Sequence, residues 1–365
     1  MLRNSELAEL LAVEAESAAH PAQRALRRAS RRAFLWEVEA AQLLQKGRSL
    51  TELSGVGPYI EKKILTWLDN PPSIPETPPI RRGFLALTDA RREIDEKPGW
   101  LESIRGDLQM HTTWSDGSGS IAEMADAASE RHYEYVAITD HSKGLKIAGG
   151  IDETQLQRQA VEIEAINATR SDVSRKTAVL RSIELNLNPL GQGDMDPASL
   201  QKLDLVLGCF HSSLRKKEDQ TDRYLAALHN PNIHILGHPR GRIYNFRTGL
   251  HADWAKIFAT AAELDKALEI DGYPDRQDLD VDLLRIARVA GMRISLGTDS
   301  HGPGQLRFME FAAAAALLAG IRNDRILNFM SKDELLGWAD NVRSRTHPAS
   351  QQIRDQNKRQ KRQTC

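Results

Sequence analysis

The chain has 365 residues, 41% of them hydrophobic and 27% charged, which is enough apolar material for a core and excludes a wholly disordered chain. Forty-nine lysines and arginines meet fifty aspartates and glutamates for a formal charge of -1, which excludes a globally basic nucleic-acid binder but not a local basic patch. Two cysteines, Cys209 and Cys365, are too few for a disulfide framework and fit a reducing compartment. The first residues lack the apolar core of a signal peptide. The most apolar run, 311–320, is Ala-rich and too short to span a bilayer. The expectation is a soluble cytoplasmic protein with no membrane partner and a buried helix at that run.

Residues 1–69 read as helical. Leu7, Leu10, Leu11 and Val13 recur on one face. Arg24, Arg27, Arg28, Arg31 and Arg32 follow at spacings of three and four, which puts them on one side of a helix. A solvated charged face is the commoner meaning of such a run. Next comes Leu53-Ser54-Gly55-Val56-Gly57-Pro58, ahead of an amphipathic stretch. Five prolines between residues 71 and 79 cannot continue a helix. Residues 70–99 are therefore expected to be a proline-rich linker with one helix around 81–96.

From residue 100 the pattern changes to short apolar runs at 133–139, 179–185, 203–210, 233–237, 268–271 and 293–297. Amphipathic helical stretches separate most of them, such as 120–131, where Ser120 and Glu123 predict a capping box. Alternating strand and helix means a parallel sheet. Asp107, Gln109 and His111 precede Asp116. The runs end in or near Asp140-His141, Glu184, His211, His238-Pro239-Arg240 and Asp299-Ser300-His301. In a parallel α/β barrel such ends converge on one face, whereas in an open sheet they spread along an edge. A lone His after a strand is ordinarily a packing residue, and a lone Asp a helix cap. Five of eleven histidines at strand ends point instead to a metal site. His and carboxylate donors without Cys suit zinc, manganese or iron, in two to three divalent ions with Glu184 as a bridge.

These motifs resemble those of the polymerase and histidinol phosphatase (PHP) superfamily, most of all the PHP domain at the C-terminus of bacterial family X DNA polymerases. The resemblance implies a distorted seven-stranded (β/α) barrel over 100–342, preceded by a small all-α helix-hairpin-helix domain and followed by a disordered basic tail, 343–365. It implies a trinuclear centre: Gln109, His111, Glu184 and Asp299 on one ion, Glu184, His211 and His238 on a second, Asp116, His141 and His301 on a third. Gln109 stands where many relatives have His, which implies a looser or manganese-preferring first site. Glu184, Asp299, His238 and Arg240 are the expected catalytic group, with Arg240 and Arg242 either gripping phosphate or, as an equal alternative, forming surface salt bridges.

The N-terminal residues resemble the lyase-type domain of the same polymerases, with DNA-binding candidates Gly55, Gly57, Lys63, Arg27 and Arg31. Lys63 matches the Schiff-base lysine, Tyr59 stands at a nearby lysine of that pattern, and a plain helix lysine is the favoured meaning. About thirty residues between the two parts leave no room for a polymerase palm. The implied function is metal-dependent phosphoester hydrolysis at DNA ends, such as a 3′-5′ exonuclease or end-processing repair step, without polymerisation. The rival readings are a small-molecule phosphomonoesterase and a non-catalytic DNA-binding protein with a structural metal.

Overall fold

Alanines and leucines make up most of the buried faces of the first two helices. The computed structural model describes residues 1–170 and 177–346. In it α1 (Asn4–Ser17) and α2 (Ala22–Ala33) bury Leu7, Leu11, Leu26, Ala29 and Ala33 in one core. Helix α3 (Ala40–Gln45) adds Leu43, and α4 (Pro58–Asp69) adds Ile60 and Ile64. Pro58 opens α4 at a position that needs no N–H. Helix α5 (Leu87–Asp95) follows, shorter than the expected 81–96 because Arg81 lies in a turn.

The chain divides into two units, Met1–Pro98 with Ile243–Thr248, and Gly99–Arg242 with Gly249–Cys365. The expected separate linker at 70–99 is thus part of the first unit. Ala86 and Phe84 pack on its core, and Arg81 is buried against Glu9 with Nε–Oε2 at 3.0 Å and Nη2–Oε1 at 2.8 Å. Tyr244 also belongs to this core, with its ring edge-on to Phe34 at 4.8 Å and its hydroxyl 3.0 Å from Ser30 Oγ. Arg81→Ala would leave the Glu9 carboxylate buried and unpaired. It is expected to cost about 3–5 kcal/mol. The urea midpoint of the variant checks this, and an unchanged midpoint would show that Glu9 is not held by charge pairing.

In the second unit strands and helices alternate. They are β1 (Gly106–Asp107), α6 (Ile121–Glu130), β2 (Tyr135–Ile138), α7 (Glu153–Arg170), β3 (Ala178–Arg181) and β4 (Glu184–Asn186). Then come α8 (Pro197–Leu200), β5 (Leu207–Cys209), α9 (Thr221–His229), β6 (Ile235–Leu236), α10 (Trp254–Leu264) and β7 (Ala267–Asp271). The series ends with α11 (Val281–Ala290), β8 (Arg293–Gly297), α12 (Met309–Leu318) and α13 (Lys332–Thr346). Ser120 and Glu123 form the expected capping box on α6. The alanine-rich α12 is buried, as expected.

All neighbouring strands are parallel, in the orders β1-β2-β3 and β4-β5-β6-β7-β8. Parallel bridges His141↔Glu184 and Met110↔Ser300 join the two sets. His111 N–H donates to Ser300 O at 2.7 Å and Asp299 N–H to Gln109 O at 3.1 Å. These bonds close the ring. Only Ser182 and Ile183 separate β3 from β4, so the two are one broken strand and the ring has seven. Strands β2, β5, β6 and β7 are buried at every residue, which is why they read as continuous apolar runs rather than alternating ones.

Two expectations need correction here. The run 203–210 becomes a strand only at Leu207, because the segment ahead of it turns after α8. The basic tail does not begin at 343. Helix α13 continues to Thr346, and Arg343 donates to Leu203 O at 2.7 Å. The rest of the expected tail, 347–365, lies outside the described residues. No described helix is long and apolar enough to cross a membrane.

Candidate metal centre

The strand ends of the barrel bring a set of imidazoles and carboxylates together. Glu184, first residue of β4, is fully buried at the middle of the set. Its Oε1 lies 2.8 Å from both His211 Nε2 and His238 Nε2. Its Oε2 lies 3.2 Å from His111 Nε2, 3.6 Å from His141 Nδ1 and 3.1 Å from Gln109 Nε2. Asp299 Oδ1 sits 3.0 Å from His111 Nε2. Asp116 Oδ1 faces His141 Nε2 at 3.5 Å, His301 Nε2 at 3.4 Å and His111 Nδ1 at 3.9 Å. The rings of His111 and His141 stack at 4.3 Å, and those of His111 and His301 at 4.5 Å. All nine expected ligands therefore meet in one cluster.

Neighbouring groups orient the rings. His211 Nδ1 pairs with Asn186 Oδ1 at 3.1 Å, and His301 Nδ1 with the Asp299 carbonyl at 2.8 Å. Each bond fixes a ring with Nε2 facing the carboxylates. Asp140 makes no approach to the cluster. It accepts from Thr112 N–H at 2.8 Å, Thr112 Oγ1 at 2.6 Å and Gln159 Nε2 at 2.7 Å, and so braces the loop after β1. His238 and Asp299 hold φ values of 25° and 51°, a left-handed backbone that L residues adopt only when the surroundings enforce it.

The electrostatics are those of a compact charged nest. Burial opposes ionisation of Glu184, but the imidazoles around it hold its carboxyl well below the usual range. Burial likewise opposes ionisation of Asp299, but the Arg276 guanidinium and His111 bring its pKa down. Burial disfavours a charged His111, yet hydrogen bonds to Asp299 and Glu184 outweigh it and raise its pKa. Burial lowers that of His211. Beneath the cluster, burial pushes Asp107 up to about 7.

The donor chemistry fits bound cations. Gln109 Oε1, His111 Nδ1 and His141 Nδ1 are buried with no hydrogen-bond partner, and each is a lone-pair atom a cation could use. Four overlapping groups of ligand atoms lie within 4.8 Å of one another: His111/Asp116/His141/His301, His141/Glu184/His211, Glu184/Cys209/His238 and His111/Glu184/Asp299. Cys209 was not among the expected donors.

Arg240 takes up the salt-bridging alternative. It forms an ion pair with Asp280 at 2.5 Å, and Arg242 joins the same carboxylate oxygen at 2.9 Å. The cation that reaches the cluster is Arg276, paired with Asp299 and 3.9 Å from Asp271. It lies in the loop between β7 and α11, where no periodic pattern marks it. The carboxylate at the end of β7, Asp271, was the available signal.

In the first unit, Arg24, Arg27, Arg28, Arg31 and Arg32 are exposed on α2, and none forms a salt bridge among the described residues. Gly55 has φ +84°, and a Cβ there would come within 3.1 Å of Arg32 Cγ, so this turn packs directly on α2. Gly57 caps the start of α4. Lys63 is paired with Glu14, whose hydrogen bond raises its pKa. A Schiff-base lysine needs the unprotonated amine, so this pairing runs against lyase chemistry.

Residues 107–290, half of the chain, match the PHP domain family. The chain belongs to that family. It is 36% identical over 232 residues to a DNA polymerase/3'-5' exonuclease PolX of Bacillus subtilis strain 168, a match covering 63% of this chain and 40% of that protein. It is 27% identical over 234 residues to a protein named "Probable phosphatase" of Thermoanaerobacter sp. strain X514, covering 61% of this chain and 89% of that one. Among solved structures, a histidinol phosphate phosphatase of Lactococcus lactis, complexed with zinc, L-histidinol and phosphate, aligns with 17% identity and a TM-score of 0.41 over 67% of this chain and 94% of that one.

Proposed function

We propose that this phosphoesterase acts on DNA ends, trimming or processing them, and that it does not polymerise DNA. The observation that carries the reading is the surface of the first unit, where five unpaired arginines on α2 adjoin the Gly55 turn. Exposed guanidiniums and amides at a helix start bind phosphates without reading sequence. In the second unit Gln109, His111, Glu184 and Asp299 would hold one cation, Glu184, His211 and His238 a second, and Asp116, His141 and His301 a third. Bound divalent ions supply Lewis-acid polarisation of phosphoryl oxygens and a water-derived nucleophile at neutral pH. Glu184 would contribute to two of these positions. Arg276, its side chain 31% exposed, would pair with a phosphoryl oxygen of the substrate. No side-chain nucleophile is required.

The test is a panel of 3′-labelled and 5′-labelled single strands, abasic DNA and small phosphomonoesters, with purified protein and manganese. Release from 3′ ends supports the reading. Turnover of small phosphomonoesters alone supports the rival small-molecule phosphatase, which the Thermoanaerobacter relative favours because the match covers most of that protein.

The paired variant Arg27→Ala with Arg31→Ala is expected to weaken DNA binding uniformly across sequences. The slope of log K against log salt should fall by about 1.4–1.8, as two phosphate contacts are lost. A titration at several salt concentrations reads this. An unchanged slope would mean α2 faces a different partner.

A further inference from the structure

Cys209 is the last residue of β5, two positions before His211, and is fully buried. Its sulfur, a Glu184 carboxylate oxygen and a His238 ring nitrogen all lie within 4.8 Å of one another. Glu184 is fully buried and His238 is 6% exposed. Thiol, imidazole and carboxylate together are a donor set that zinc takes up. Glu269 lies next to these residues. Glu269 on β7 is fully buried, its Oε2 accepts the His238 N–H at 2.7 Å, and its Oε1 has no hydrogen-bond partner. A Cβ placed on Gly237 would lie 2.4 Å from the Cys209 sulfur and 3.2 Å from Glu269 Oε2. The sulfur thus packs directly against Gly237, on the side that also carries Glu269 Oε2.

We propose that Cys209, with Glu184 and His238, forms a site for a thiophilic divalent cation of the zinc and cadmium class. The inference rests on the cation-binding part of the reading above. The other groupings offer only imidazole, carboxylate and amide donors and so suit harder cations such as manganese, whereas a thiolate adds a soft ligand to one position alone. The cluster would then sort its cations by chemistry. As the cation–sulfur bond forms, the S–H bond breaks and the proton passes to the buffer, so loading this position with zinc or cadmium releases one proton from the thiol.

The experiment uses the full chain carrying Cys365→Ser, which leaves Cys209 as its one cysteine. The chain is stripped with chelator, kept reduced and titrated with cadmium. Sulfur-to-cadmium charge-transfer absorption in the ultraviolet is the readout. In parallel the zinc-loaded chain is measured by X-ray absorption at the zinc edge. One sulfur scatterer per chain at about 2.3 Å supports the proposal. Only nitrogen and oxygen neighbours at about 2.0–2.2 Å, with no charge-transfer band, overturn it. Adding Cys209→Ala should abolish the band, and a band that persists there also overturns it. These readouts report ligation and not turnover, so a negative result leaves the phosphoesterase reading to its own substrate panel.

Discussion

Glu184→Ala is expected to strip more than one cation from each chain and to reduce phosphoester hydrolysis by about a thousandfold. One carboxylate contacts four imidazoles and the Gln109 amide at 2.8–3.6 Å, with both oxygens engaged on different partners. Among the described residues no other carboxylate pairs with the ring of His211 or His238, whose Nε2 atoms both lie 2.8 Å from Glu184 Oε1. Removing it takes a negative charge from two cation positions at once and leaves imidazoles facing one another. Lewis-acid stabilisation is worth several kcal/mol, and about 1.4 kcal/mol is a factor of ten in rate. Glu184→Gln keeps the volume and one acceptor oxygen but not the charge, and so separates a cavity effect from an electrostatic one. Elemental analysis of both variants beside the wild type is the measurement. If Glu184→Ala retains the wild-type metal content, the bridge is not where the geometry suggests. Loss of a single ion would assign Glu184 to one position only.

The two units differ in how much their sequence discloses. The arginine face of α2 is legible because helical spacing is a local property. The series of polar residues after the strands is legible for a similar reason, since each buried strand is an apolar run followed by the residue that the barrel turns toward its mouth. What sequence hides is long-range pairing. Arg240 sits directly after His238, yet its partner Asp280 is forty residues on, and nothing near either residue marks the pair. Tyr244 follows the same motif but packs in the first unit against Phe34, which only the folded chain brings near. Strand β1 has two residues, too few to show any period. Cys209 looks like one more apolar strand residue until His238 and Glu184 surround it. Deleting the N-terminal residues would remove the core in which Tyr244 is buried, so such a deletion does not cleanly separate DNA binding from catalysis.

Lys266→Met is expected to stabilise the protein by about 4–5 kcal/mol near pH 7. Lys266 has no exposed surface, and its ammonium group has one protein partner, the Asn230 carbonyl at 2.6 Å. No carboxylate pairs with it among the described residues, so burial brings its pKa down from 10.5 to about 7. At 1.36 kcal/mol per pH unit, that gap sets the size of the effect. Asn230 O keeps a donor in the variant, because Ile233 N–H also reaches it at 3.3 Å. Between pH 7 and 10.5 the unfolded chain binds the proton and the folded chain does not, so the wild type gains stability as pH rises through that window. The variant lacks this term, and the difference between the two should shrink steadily from pH 7 to pH 10. His234, buried nearby, acts in the same direction at lower pH. Burial holds its pKa at about 3, and its Nδ1 accepts the Val206 N–H at 3.1 Å, which requires the neutral ring. As pH falls from 6.5 toward 3 the unfolded chain takes up a proton that the folded ring refuses, and stability is lost. Urea unfolding of wild type and Lys266→Met at half-unit steps from pH 7 to pH 10 measures the first window. A stability difference that stays constant across it would mean that Lys266 stays protonated in the folded chain throughout, its charge compensated.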